Sequence, residues 1–127
     1  MILRSFFVML HRWFGLFVAG FLFVAGLTGA IISWDHELDE WLNPQMFHAR
    51  GGDAPPIASP LELANRLEAE DERALVTWLP LAFEPGHALG LFVNPGLDEG
   101  TGKAHVMEYN QAAIDPASGE VQAKRYW

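Results

Sequence analysis

The sequence predicts a membrane protein of the α+β class: one long N-terminal transmembrane helix, then a small module of one helix against an antiparallel sheet. Three observations predict it. Residues 13–34, WFGLFVAGFLFVAGLTGAIISW, form a run of 22 residues without a charge, fenced by Arg12 and Asp35. Charge divides where that run ends. Residues 1–34 carry Arg4 and Arg12 and no acid, a local +2, whereas residues 35–127 carry all 16 acids against six Lys and Arg, a local −10. From Ala74 onward the apolar pattern changes from helical spacing to alternation, and Gly/Pro turns separate the segments.

The apolar run comes first. At 1.5 Å per residue it gives about 33 Å of helix, enough to cross a hydrocarbon core of about 30 Å. Trp13 and Trp34 then stand at the two headgroup layers, where an amphipathic ring is at home. A cleaved leader is the competing reading, with Thr28 and Ala30 as small residues near a cut. A leader's apolar region is about 7–15 residues, however, and this one continues through Ile31, Ile32 and Trp34. Basic residues stay on the cytoplasmic side, so Arg4 and Arg12 predict a cytoplasmic N-terminus and an acidic C-terminal part across the membrane. Residues 1–12, MILRSFFVMLHR, either extend the helix backward, with the arginines snorkelling, or form a short amphipathic lead-in.

Small residues are not scattered along this helix. At 100° per residue, Gly15, Ala19, Gly26, Ala30 and Ser33 fall within an arc of about 60°, opposite Phe14, Phe17 and Phe21. In lipid such a face lets another helix approach closely. His11 sits at its edge. An imidazole there is either an axial ligand to haem iron or a group bonded to water and lipid phosphate.

Beyond the membrane, Leu38, Trp41 and Leu42 continue helical spacing for one or two turns, and Pro44 ends the helix at Asn43. His36, Glu37, Asp39 and Glu40 read as a solvated helix face rather than a metal cluster. Residues 45–58 are expected to link the first unit (1–44) to the second (59–127); ARGGDAPPIA holds paired Gly and paired Pro. Ser59 then caps a helix with Pro60 at its first position and Glu62 closing a capping box; Leu61, Leu63, Ala64 and Leu67 give it an apolar side, and it frays near Glu70. Residues 74–81, 89–93, 105–114 and 120–126 are predicted strands. Glu84-Pro85-Gly86-His87 and Asp115-Pro116-Ala117-Ser118-Gly119 are turns, and 94–102 is a Gly-rich loop.

Composition excludes several functions. The acidic second part has no Lys/Arg cluster, which argues against a nucleic-acid partner. With zero cysteines there are no disulfides, no iron–sulfur ligands and no thiol nucleophile. Ser118 lies in a turn with no base near it in sequence. His87 and His105 are expected as surface loop and strand residues, and no catalytic residue is assigned.

Leu10-His11-Arg12-Trp13 with Gly15, then Leu27-Thr28-Gly29, then Leu38-Asp39 and Asn43-Pro44, resemble the start of the PepSY-associated transmembrane proteins. Asp115-Pro116-Ala117-Ser118-Gly119-Glu120-Val121 resembles the hairpin of PepSY domains, with Ser where Thr is usual. The resemblance covers essentially the whole chain. It implies a PepSY-like module after the span, a place in the bacterial inner membrane with that module in the periplasm, and a part in haem-containing reductases of ferric siderophores in iron uptake. Members of the family are several times longer, with a bundle of membrane helices and two PepSY-like modules. The expectation is therefore a truncated or split member, or one that acts in a complex. Where family members bind haem b, membrane-helix histidines hold it, and His11 is the position that matches. One histidine cannot supply both axial ligands, so other transmembrane helices or a second copy are the implied partners, and a ferric siderophore the implied substrate. No G-x-G-x-x-G motif is present to hold a nicotinamide or flavin donor. The reading of another class is a non-catalytic, membrane-anchored interaction or regulatory module.

Overall fold

Helix is the conformation that satisfies every backbone group of a chain surrounded by lipid. The computed structural model, which describes residues 2–127, winds the apolar run into one helix, α1 (Ile2–Ser33). Its membrane-length part, Leu3–Ser33, has 31 residues, and among the described residues nothing buries its most apolar stretch. Residues 2–12 thus continue the span as helix; Met1 lies outside the described residues. The Thr28 hydroxyl bonds back to the Val24 carbonyl, which keeps its polar atom satisfied without a partner helix. At Trp34 the ladder tightens: its N–H reaches the Ile31 carbonyl at 3.1 Å. A second helix follows, α2 (Asp35–Leu42), with Asp35 and Glu37 in its first turn, where acids suit the helix dipole.

Contacts divide the chain into a unit ending at Asp39 and a second from Glu40 to Trp127. In the second unit Pro44 ends α2 and opens a one-turn helix, α3 (Pro44–Phe47), as a first-position proline. Ser59 caps α4 (Pro60–Glu70) through a complete capping box: its side chain accepts from the Glu62 N–H at 3.3 Å, and its own N–H donates to the Glu62 carboxylate at 2.8 Å. Four strands follow, β1 (Ala74–Trp78), β2 (Leu89–Pro95), β3 (Gln111–Ile114) and β4 (Val121–Arg125), in an antiparallel meander of order β1-β2-β3-β4.

Leu63, Ala64 and Leu67 of α4 pack on Leu89, Leu91, Val93, Ala112 and Ile114, which alternate onto one sheet face. On the other face α3 lies against β2, β3 and β4 with Met46 buried. That second cover explains why all four residues of β3 are buried, Gln111 and Ala113 included.

Part of the stretch expected as linker is tied to this sheet. The buried Gln122 amide donates to the carbonyls of Gln45 (2.8 Å) and His48 (2.7 Å), and its oxygen accepts from the Arg50 N–H at 3.1 Å. Gln122 is available for this because the register of β3 and β4 slips beside it, between Ala113↔Ala123 and Ile114↔Val121. The Gly51 N–H reaches the Asp115 carboxylate at 3.2 Å, and a Cβ on Gly51 would stand 2.4 Å from that of Ala117.

Two strands are shorter than the alternation predicts. β1 stops at Trp78 rather than Leu81, because Pro80 has no N–H for a ladder. Residues 105–110 alternate in burial, with Tyr109 buried and Val106 exposed, but β3 begins only at Gln111. The ladder has run out: β2 ends at Pro95, and beyond it the chain keeps one isolated bridge, Leu97↔Ala104. The hairpin between β3 and β4 forms as expected. Ser118 donates to Asp115 at 2.9 Å, the Asp115 N–H closes on Glu120 at 2.9 Å, and Gly119 takes φ +75°.

Candidate functional site

The residues singled out on the span all lie on α1, and all are exposed on the isolated chain: His11, Gly15, Ala19, Gly26, Ala30 and Ser33. A Cβ added at Gly15 or Gly26 would meet nothing within 4 Å, so among the described residues nothing fills the small-residue face. Lipid or another helix is what can meet it there. Within α1 His11 is the only histidine.

In the second unit the fold brings together three side chains that no local pattern connects. His48, just after α3, and His87, just before β2, face each other as an isolated antiparallel bridge. The flanking backbone bonds are Ala49 N–H to the Gly86 carbonyl (2.9 Å) and Ala88 N–H to the Phe47 carbonyl (2.7 Å). This makes His48 and His87 a non-hydrogen-bonded pair, the arrangement in which facing side chains come closest. Their ring centroids are 5.7 Å apart. Glu40 of α2 completes the group, with Oε1 3.3 Å from His48 Nε2 and 3.8 Å from His87 Nε2. By sequence alone, Glu40 falls on a solvated helix face with His36, and His87 in a surface turn. Neither helical spacing nor alternation links Glu40 to His48 or to His87; the bridge sets the two histidines opposite each other, and Glu40 meets them from α2.

Two other polar groups are structural in their geometry. Arg73 grips Asp71 through Nε at 2.9 Å and Nη2 at 3.0 Å, and the Tyr109 hydroxyl donates to the same carboxylate at 3.0 Å. The Arg73 guanidinium holds the Asp71 carboxyl down at about 2. Burial, then the bond to Asp71, pushes the Tyr109 phenol up to about 12. Burial works to raise the Asp115 carboxyl, but bonds from Ser118, Gly51 and Ala117 outweigh it and hold the group below its ordinary range. Asp115 therefore acts as a turn clamp, joining the hairpin to Gly51 of the strap, the segment 45–51 that Gln122 and Asp115 tie to the sheet.

Comparison with protein families finds a match to the PepSY-associated TM region over residues 8–127. Comparison with curated proteins finds none. The matched range takes in His11, the small-residue face, the strap and the whole sheet.

Proposed function

The chain belongs to the PepSY-associated TM region family, and on that premise we propose that this membrane-anchored protein is a partner-dependent part of a haem-containing reductase of ferric siderophores. The observation that carries the reading is His11 at the edge of the small-residue face of α1, a helix whose length and composition suit a membrane span. The donor set decides how much of haem b this chain can hold. One imidazole on one helix would supply one ligand to the iron, and a partner helix or a second copy would supply the other. Haem, when bound, supplies a one-electron carrier between a donor and a ferric chelate. The part of this chain is to hold that imidazole in the membrane and, through Gly15, Ala19, Gly26, Ala30 and Ser33, to let another helix close on it. Arg4 and Arg12 keep the N-terminus in the cytoplasm of a bacterial inner membrane, and the acidic unit from Glu40 onward faces the periplasm.

A visible spectrum tests this. The detergent-purified complex from haem-replete cells is expected to show a Soret band that His11→Ala removes. No band in the wild type, or a band that survives the substitution, defeats the reading. A stoichiometric partner recovered without haem favours an anchored interaction module instead.

A further inference from the structure

Glu40, His48 and His87 lie within the second compact unit and owe nothing to α1 or His11. We propose that they form a binding site for one divalent transition-metal ion, with the remaining coordination positions open to water or to an exogenous ligand.

The spacing already suits an ion. The three ligand-capable atoms lie within 4.8 Å of one another. A tetrahedral ion with bonds of 2.0–2.1 Å holds its ligand atoms about 3.3 Å apart. Glu40 Oε1 stands 3.3 Å and 3.8 Å from the two Nε2 atoms, so modest side-chain adjustment closes the set. The backbone is held for it, because the bridge bonds on either side fix His48 opposite His87.

One histidine is also oriented for it. His87 Nδ1 lies 3.0 Å from the Pro85 carbonyl oxygen, which can only accept. Nδ1 therefore carries a proton, and in the neutral ring Nε2 presents its lone pair towards Glu40. A backbone carbonyl on the far nitrogen is the usual support of a metal-bound imidazole. A neutral Nε2 and a carboxylate oxygen are both acceptors, and a cation drawn between them, either a proton or a metal ion, is what makes the pair attractive.

The donors choose the class of ion. Two imidazoles and one carboxylate suit Zn²⁺, Fe²⁺ and their neighbours, whereas Ca²⁺ and Mg²⁺ require oxygen shells. Side-chain exposures of 55% for His48, 42% for His87 and 28% for Glu40 leave the ion accessible from solvent.

The test uses the full chain in detergent, carrying no polyhistidine tag and stripped with chelator. Zn²⁺ is titrated in competition with a chromophoric chelator. One equivalent is expected to bind the wild type and His105→Ala alike, and at least tenfold more weakly to His48→Ala, His87→Ala and Glu40→Gln. No saturable one-equivalent binding, or a loss smaller than tenfold in either histidine variant, overturns the site. Circular dichroism of the metal-free variants checks their fold. Co²⁺ added to the wild type provides a readout free of any variant: ligand-field bands that Zn²⁺ displaces support the site, and their absence overturns it. A failed Soret experiment leaves these outcomes unchanged.

Discussion

Asp71 shows how one carboxylate can serve two neighbours. It accepts from Arg73 on the surface side and from Tyr109 on the core side, so it joins the end of α4 to the segment leading into β3. The signs of the two titrations oppose each other. Asp71 lies at about 2 in the folded chain against 3.8 ordinarily, so its stabilisation is fully present above about 4 and is lost as pH falls towards 2. Tyr109 is raised from 10 to about 12, so its contribution is present below 10 and is lost as pH climbs through 12. Tyr109→Phe is expected to reduce the alkaline fall in melting temperature and to leave much of the acid one, because Arg73 still holds Asp71. Thermal melts of the two proteins from pH 2 to 12 check this; an unchanged alkaline limb defeats it.

Among the elements, α3 and the strap that follows it do more than their length suggests. α4 covers one face of the sheet with Leu63, Ala64 and Leu67, but α3 and Met46 cover the other, and Gln122 ties the strap down with three hydrogen bonds. Gln122→Ala strips those partners from backbone groups at 45, 48 and 50. At about 1 kcal/mol for each net bond, and more for a group left buried and unpaired, it is expected to cost about 2–4 kcal/mol. Hydrogen exchange should quicken first at the amides of Ala49 and Ala88, which bracket the histidine bridge, and not in α4. Equal protection loss on both faces of the sheet would mean that the strap is not a separate cover. The hairpin at 115–119 is held by the strap and by α4 as well, since Asp115 bonds Gly51 and a Cβ at Gly119 would press to 2.8 Å from Ile57 Cδ1 and 3.4 Å from Leu63 Cδ2.

In the whole molecule, two solvents are at work. The first unit exposes Phe7, Phe14, Phe17, Phe21, Phe23 and Ile32 all round α1, an apolar surface that water would not tolerate and lipid accepts. The second unit has an apolar core of its own between α4 and the sheet, and carries acids on its outside. Alkaline carbonate should therefore leave the full chain in the membrane pellet, while a fragment from residue 40 onward should appear in the supernatant. A full chain released by carbonate would overturn the membrane assignment.

The span, the capping box at Ser59 and the Asp115–Gly119 turn were legible from residues alone, because each depends on neighbours a few positions away. A charge-free run long enough to cross lipid, a hydroxyl three residues before a glutamate, and a proline followed by a glycine carry their conformation with them. The early end of β1 was half legible in Pro80. The late start of β3 was not, since residues 105–110 alternate like a strand and lack only a partner, which depends on where β2 stops. His11 and its small-residue face are visible as a pattern on the helix, and the described residues leave that face uncovered. The meeting of Glu40, His48 and His87 came from packing: α3 settles on the sheet, Gln122 draws the strap across, and strand register sets one histidine opposite the other. Local preferences choose conformation over a few residues, whereas register between distant segments is set by the core that both must cover, and so the span was written in composition and the histidine pair emerged only on folding.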